Sequence, residues 1–256
     1  MSVWTCKISL SDEFMVNLRE RPDGKMIDIK FVGTGGAFNY RQGNSSAIAV
    51  VRGKKLLVDC GHTVFPELMR RELITSLDGV LITHLHDDHV GSLSTLLFYR
   101  YYVLRPKPTK VYVPNESFAD ELSRFLAFSM QTPEMYADFS PLSELQGVES
   151  LDTTGRHVPT MTSFAYFFHD ADEWVAFSGD LADHAFFWSY MEREGIRPNR
   201  VFHEMSFFPV ETHTYYKDLI AYLDRAPIYG YHCDHTFNPP DNPLGVAALE
   251  PGLMLP

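Results

Sequence analysis

The sequence predicts an α/β fold in one domain. Short apolar runs of strand character alternate with amphipathic helical segments along most of the chain. No self-similarity with a period of roughly 20–50 residues and no low-complexity segment interrupts them. The 256 residues, 45% of them apolar, suffice for a large core.

Residues 1–25 read as an N-terminal extension that ends at the turn Arg21-Pro22-Asp23-Gly24. Met26 to Val32 alternates as a strand and closes on Gly33-Thr34-Gly35-Gly36. Residues 46–51 and 55–58 read as a hairpin about Arg52-Gly53-Lys54. A short helix fits 65–73, and a buried strand fits 79–83. Leu93, Leu96, Leu97 and Tyr101 fall at helical spacing within 90–103. A strand at 109–113 precedes an amphipathic helix at 116–130. Strands at 161–168 and 174–178 pair around 169–173, and helices cover 184–194 and 215–225. Val201-Phe202 begins a further strand, and 227–231 is a strand leading to His232. The globular domain spans 26–238, and 239–256 is a Pro-rich, irregular C-terminal tail.

The net charge of −11 disfavours a long nucleic acid as partner, because gripping a phosphate backbone calls for a basic surface. Arg100, Arg105, Lys107 and Lys110 are the candidates for a local basic patch. Cys6, Cys60 and Cys233 are odd in number and widely spaced, which argues against a disulfide framework. No apolar window is long enough to span a membrane. The N-terminus lacks the basic start and apolar run of a signal peptide, so the expected location is cytoplasmic.

The chemistry concentrates in THLHDDHVGS, residues 83–92. His84, His86, Asp88 and His89 are metal-ligand types within six residues, directly after the apolar run Val80-Leu81-Ile82. His84 and His86 share one face of an extended segment. Asp88 and His89 can point elsewhere and serve a second ion. Paired ions about 3.5–4 Å apart are a common means of generating a nucleophilic hydroxide. Asp87 has no required role and reads as a solvated or supporting carboxylate. Further candidate ligands lie at element ends: His157, Asp180 in Phe177-Ser178-Gly179-Asp180, and His232, with His235 as its rival.

The chain resembles the metallo-β-lactamase-fold hydrolases. The segments carrying the likeness are FVGTGGAFNYRQGNSSAIAV, LLVDCG at 56–61, THLHDDHVGS, His157, FSGD at 177–180 and His232. The resemblance implies a four-layer αββα sandwich: two mixed β-sheets with helices on the outer faces. It implies that His84, His86 and His157 hold one metal, that Asp88, His89 and His232 hold a second, and that Asp180 bridges both. Asp59 would orient a ligand histidine. Two divalent ions are the expected cofactors, zinc foremost, with manganese or iron as alternatives. Cys233 is a thiolate alternative read as a small buried residue, and His62 receives no role.

His203-Glu204-Met205-Ser206 and His213-Thr214 resemble the paired Glu and His segments of the phosphodiesterase branch, which includes ribonuclease Z. The likeness makes His213, supported by Glu204, a general acid for the leaving oxygen. Asp88, Glu204 and His213 are thus the expected catalytic residues, Asp88 doubling as a ligand. His203 reads as structural. Only residues 158–179 separate His157 from Asp180, too few for a tRNA-binding arm. The looser likeness is to compact phosphodiesterases of small cyclic phosphates, among them phage enzymes that destroy cyclic pyrimidine nucleotides. The expected activity is hydrolysis of a small cyclic nucleotide or related cyclic phosphodiester through a metal-bridging hydroxide. The alternatives are RNA or tRNA cleavage, hydrolysis of a lactone, thioester or β-lactam on the same metal core, and a non-enzymatic metal-binding sensor. Phe98, Tyr99, Tyr101 and Tyr102 could stack a base, build a homodimer contact or simply fill the core; the N-terminal extension could serve as a dimer arm.

Overall fold

A computed structural model describes residues 26–255. The expected N-terminal extension, 1–25, lies outside the described residues. β1 (Asp28–Gly33), β2 (Ser46–Val51), β3 (Lys54–Val58), β4 (Gly79–Leu81), β5 (Thr109–Val113) and β6 (Ala137–Pro141) form one sheet in sequence order. β1 to β3 pair antiparallel, and β3 to β6 pair parallel. β7 (Val148–Asp152), β8 (Phe164–Asp170), β9 (Glu173–Phe177), β10 (Arg200–Glu204), β11 (Ile228–Tyr231) and β12 (Gly245–Val246) form a second sheet with the same progression.

The two sheets meet through aromatic rings. Phe31 of β1 packs against Phe177, Phe202 and Tyr231 at centroid distances of 6.2, 5.5 and 5.4 Å. β8 shows how period-2 alternation divides a core. Its Phe164, Tyr166 and Phe168 enter the inter-sheet core, while Ala165 and Phe167 turn to the opposite face. There they join Phe187, Trp188 and Met191 of α5 (His184–Arg193) and Leu219 of α6 (Tyr216–Leu219). The first sheet is covered by α1 (Val64–Arg70), α3 (Leu93–Tyr99) and α4 (Glu116–Met130). α4 buries Phe118, Leu122, Leu126 and Met130 at four-residue steps, and Asn115 caps its start by accepting from Phe118 N at 2.9 Å. The four-layer αββα sandwich is therefore present. Among the described residues no helix is long and apolar enough to cross a membrane.

Three elements differ from the sequence expectation: the helix over 90–103, the helix over 215–225, which is α6 followed by a 3₁₀ turn at Ile220–Tyr222, and the 239–256 tail. The helix expected over 90–103 is divided into α2 (Asp87–Val90), α3 and a wider π-helical turn at Arg100–Leu104. The aromatic cluster does not line the cleft described below. Phe98 and Tyr101 instead pack on Tyr136 at 4.8 and 5.0 Å, and Tyr102 shares a 2.8 Å hydroxyl hydrogen bond with it. The 239–256 segment is not an irregular tail throughout its described part. β12 extends the second sheet, and Phe31 N donates to Leu253 O at 2.7 Å while Leu255 N donates to Phe31 O at 3.1 Å. Apolar Leu244, Val246 and Leu255 are buried, which outweighs the prolines around them. The basic residues do not act as one patch: Arg100 is engaged by Ile74 O and Thr109, and Lys110 by Asp138.

Candidate metal centre

The chemistry-bearing residues follow the carboxyl ends of strands β3, β4, β9, β10 and β11, where loops leave both sheets at one edge of the sandwich. Asp59 follows β3, and His84 and His86 follow β4. Asp180 follows β9, Glu204 ends β10, and His232 follows β11. Two glycines make the approach possible. A Cβ on Gly61 would lie 1.9 Å from the Asp88 carbonyl oxygen. Gly179 adopts φ +63°, and a Cβ there would meet Phe164 O at 2.7 Å. Asp59 and His232 themselves hold φ of 63° and 61°, an uncommon conformation for residues with a Cβ.

Two groups of side chains converge. In the first, His84 Nε2 lies 3.0 Å from His86 Nδ1, which lies 3.2 Å from His157 Nε2. In the second, His232 Nε2 lies 3.1 Å from Asp88 Oδ2, and His89 Nε2 lies 3.3 Å from the same oxygen. Asp180 stands between the groups. Its Oδ2 is 3.3 Å from His232, 3.4 Å from His89, 3.8 Å from His157 and 3.9 Å from His84. All seven residues expected as ligands are thus brought together. His235 is not; its Nδ1 is buried without a hydrogen bond, and the residue lines a separate cavity of about 350 Å³.

The surrounding hydrogen bonds aim the ring nitrogens. His89 Nδ1 donates to Asp59 Oδ2 at 2.8 Å, and His157 Nδ1 donates to Thr212 O at 2.7 Å. Thr83 Oγ1 donates to Asp59 Oδ2 at 2.8 Å, so it accepts from His84 Nδ1 at 3.0 Å. Each of these bonds leaves Nε2 as the nitrogen directed at the cluster. Asp59 is the hub: it is 1% exposed, and its Oδ1 also accepts from Thr83 N at 2.7 Å. The supporting role of Thr83 and of the Thr212 carbonyl was absent from the sequence reading, because a hydroxyl and a main-chain oxygen carry no spacing signal.

Electrostatics ask for cations here. Burial pushes the pKa of His84 well below the usual imidazole value and lowers those of His86 and His157, keeping them neutral donors. Burial also disfavours charge on His89, yet the Asp180 and Asp59 carboxylates outweigh it and raise its pKa. Asp180 Oδ1 and His89 Nε2 are buried without a hydrogen-bond partner. Neutral His84, His86 and His157, buried carboxylates that draw positive charge onto His89, and unpartnered donor atoms around one centre fit a pair of divalent ions.

Glu204 and His213 adjoin this centre. Glu204 is fully buried, and its Oε1 accepts from Leu181 N at 3.2 Å and from Thr214 N at 2.9 Å. Its Oε2 accepts from His213 Nδ1 at 3.0 Å. Burial works against a charged His213, but the Glu204 hydrogen bond and charge push its pKa up to about 9. The His213 ring lies 5.0 Å from those of His157 and of His232. With His86, Asp88, His157, Asp180 and His232 it lines a cleft of about 620 Å³. Phe38 and Tyr40 also line this cleft, and the sequence reading gave them no part. His62 and Asp87 stand in its wall, 3.7 Å apart. Cys233 is buried in the outer core cluster; burial pushes its thiol up to about 12, which opposes a thiolate ligand.

Residues 27–246 match the family model described as anti-Pycsar protein Apyc1. The chain belongs to that family. The Apyc1 protein of Bacillus phage BSP38 is 31% identical over 217 residues, covering 76% of this chain and 83% of the phage protein. That of Bacillus phage 010DV004 is 29% identical over 231 residues, 80% and 88% of the two chains. A ribonuclease Z of Methanosarcina mazei is 34% identical over 91 residues, 35% of this chain and 30% of that enzyme. Among solved structures, the metallo-β-lactamase-fold protein YhfI of Bacillus subtilis superposes with a TM-score of 0.64 at 19% identity, covering 82% and 87% of the chains. The short form of human tRNase Z gives 0.61 at 18% identity, covering 80% and 92%. This Apyc1-family chain therefore has the metallo-β-lactamase fold.

Proposed function

We propose that the protein is a binuclear metal-dependent phosphodiesterase acting on a small cyclic nucleotide or related cyclic phosphodiester. The observation that carries the reading is a buried Glu204 holding His213 beside two ligand clusters with Asp180 Oδ2 within 3.9 Å of members of both. His84, His86 and His157 would hold one ion; Asp88, His89 and His232 would hold the other; Asp180 would touch both. Bound there, the ions would supply a hydroxide nucleophile and offset the charge gathering on phosphorus oxygens. Zinc suits this donor set, as do manganese and iron.

The chain's own groups perform the rest. Glu204 fixes the tautomer of His213 by taking its Nδ1 proton as a hydrogen bond, so Nε2 is the nitrogen available to the leaving oxygen. His213 protonates that oxygen as the ester bond breaks, which spares the expulsion of an alkoxide. Asp59 holds His89, and Thr212 O holds His157, so that neither ring turns away from the centre. Membership of the anti-Pycsar family supports a small cyclic nucleotide over a long RNA. The negative net charge and the β8–β9 hairpin between His157 and Asp180 support it too.

Metal analysis of the purified protein, with turnover measured on cyclic mononucleotides, linear dinucleotides, precursor tRNA and bis-p-nitrophenyl phosphate, tests the proposal. The expected result is two ions per chain and fastest turnover of the cyclic mononucleotides. Preferential cleavage of precursor tRNA would move the protein to the ribonuclease reading. Full metal occupancy without turnover of any phosphodiester would sink the phosphodiesterase reading.

A further inference from the structure

The metal cleft does not end at His213 and His232. A second cavity of about 720 Å³ adjoins it, and Ala37, Phe38, Tyr40, His213 and His232 line both. Three exposed phenylalanine rings line this continuation beside Tyr40: Phe38 from the turn after β1, Phe208 from the loop after β10, and Phe237 beyond β11. Phe208 and Phe237 pack edge to face, with centroids 5.3 Å apart and planes at 71°. Phe38 is 93% exposed, and the other two are each 55% exposed. The turns that carry them are hydrogen-bonded: Asn39 N donates to Gly36 O at 3.0 Å across Phe38, Phe208 N donates to Ser206 Oγ at 3.1 Å, and Phe237 N donates to Asp234 O at 3.0 Å. Three large rings exposed around a cavity that opens onto a polar centre are unfavourably hydrated until a ligand covers them.

We propose that Phe38 and the Phe208–Phe237 pair form a stacking subsite for the planar base of a nucleotide whose phosphodiester lies over the histidine clusters. This rests on the phosphodiesterase reading and specifies how its substrate is held. Asp234, an acidic group in the subsite wall, is already engaged: its Oδ1 accepts from Gln42 Nε2 at 2.8 Å and from Thr236 N at 2.9 Å. Stacking on these rings grips the face of a base, and every base has such a face. Purine and pyrimidine cyclic nucleotides should both be accepted, with KM values within about one order of magnitude of each other.

The test compares cyclic CMP and cyclic AMP with 1-deoxyribose 3′,5′-cyclic phosphate, which lacks a base, on the metal-loaded full chain. The wild type should show a KM for the base-less compound roughly 10-fold or more above those of the nucleotides. In Phe38→Ala and Phe208→Ala that ratio should collapse towards one. Phe38→Trp should restore it, and Phe38→Leu should not. Phe128→Ala removes a ring that is 94% exposed on α4 and should leave the ratio as in the wild type. An unchanged ratio in Phe38→Ala, or full rescue by leucine, overturns the subsite. So does a change in sedimentation of Phe38→Ala without a change in the ratio, since a second copy would then be what covers the ring. If the wild type hydrolyses none of the three compounds, the phosphodiesterase reading fails by itself. Calorimetric binding of cyclic AMP against the base-less phosphate then decides the subsite separately, with equal affinities counting against it.

Discussion

Glu204 and His213 form a 3.0 Å hydrogen bond in which the carboxylate is wholly buried while 24% of the imidazole side chain stays exposed. The buried partner is anchored by two main-chain amides, so the exposed partner is positioned without being enclosed.

Replacing His213 by alanine should lower kcat by roughly 10²–10⁴-fold, the usual scale of general acid catalysis, while both ions stay bound. Metal content by mass spectrometry and single-turnover rates on the same preparation check this. Normal turnover in His213→Ala would remove the proton-donor role. Glu204→Gln should also lower kcat, since an amide whose oxygen keeps Leu181 N and Thr214 N turns a donor towards His213 Nδ1.

Asp180 is the contact shared by both clusters, so Asp180→Ala should abolish metal loading and activity together. Retention of two ions by this variant would show that the clusters are independent.

Asp59→Asn separates positioning from backbone strain. Asparagine tolerates the left-handed φ of 63° at this position, so the turn should survive. The hydrogen bond from His89 Nδ1 should be weakened, and metal affinity should fall about 10–100-fold in a competitive chelator titration. Wild-type affinity would mean that Asp59 serves only the fold.

Removing the ions should expose the cost of the buried carboxylates. With metal at a thousand-fold excess over Kd, binding contributes about 4 kcal/mol per ion, so chelation of both should lower Tm on the order of 20 °C. Calorimetry before and after dialysis against EDTA measures the shift, and restoring zinc should reverse it.

His203 should impose an acid response on folding. Its Nδ1 donates to Glu204 O at 2.6 Å, its Nε2 is buried without a partner, and its ring meets Phe187 at 5.5 Å. Burial pushes its pKa down to about 3 from an ordinary 6.5. Between those values the unfolded chain binds the proton and the folded chain does not. Stability from this residue is therefore complete above pH 6.5 and declines as pH falls towards 3, by at most about 1.4 kcal/mol per pH unit. Urea unfolding at pH 4 and pH 7 should show a smaller difference in His203→Asn than in the wild type.

The sequence by itself determined the α/β class, the order of most strands and the four ligand-type residues His84, His86, Asp88 and His89. Alternating apolar runs and a His-x-His-x-Asp-His spacing are local signals, legible without neighbours. It could not separate His232 from His235, because three residues along a turn change direction completely in space. The φ of 61° at His232 directs that ring to Asp88 and Asp180, and only the packed loops settle this. Nor could it join the 239–255 segment to the fold, since the pairing of β12 and of Leu253 with Phe31 spans most of the chain. The aromatic walls of the cleft belong to the same class. Phe38, Phe208 and Phe237 are scattered in sequence and share one cavity because strands β1, β10 and β11 end at the same edge. Chemistry carried by residue type and short spacing was written in the sequence. The arrangement around it was decided by the tertiary structure, because two sheets must stack before their strand ends can meet.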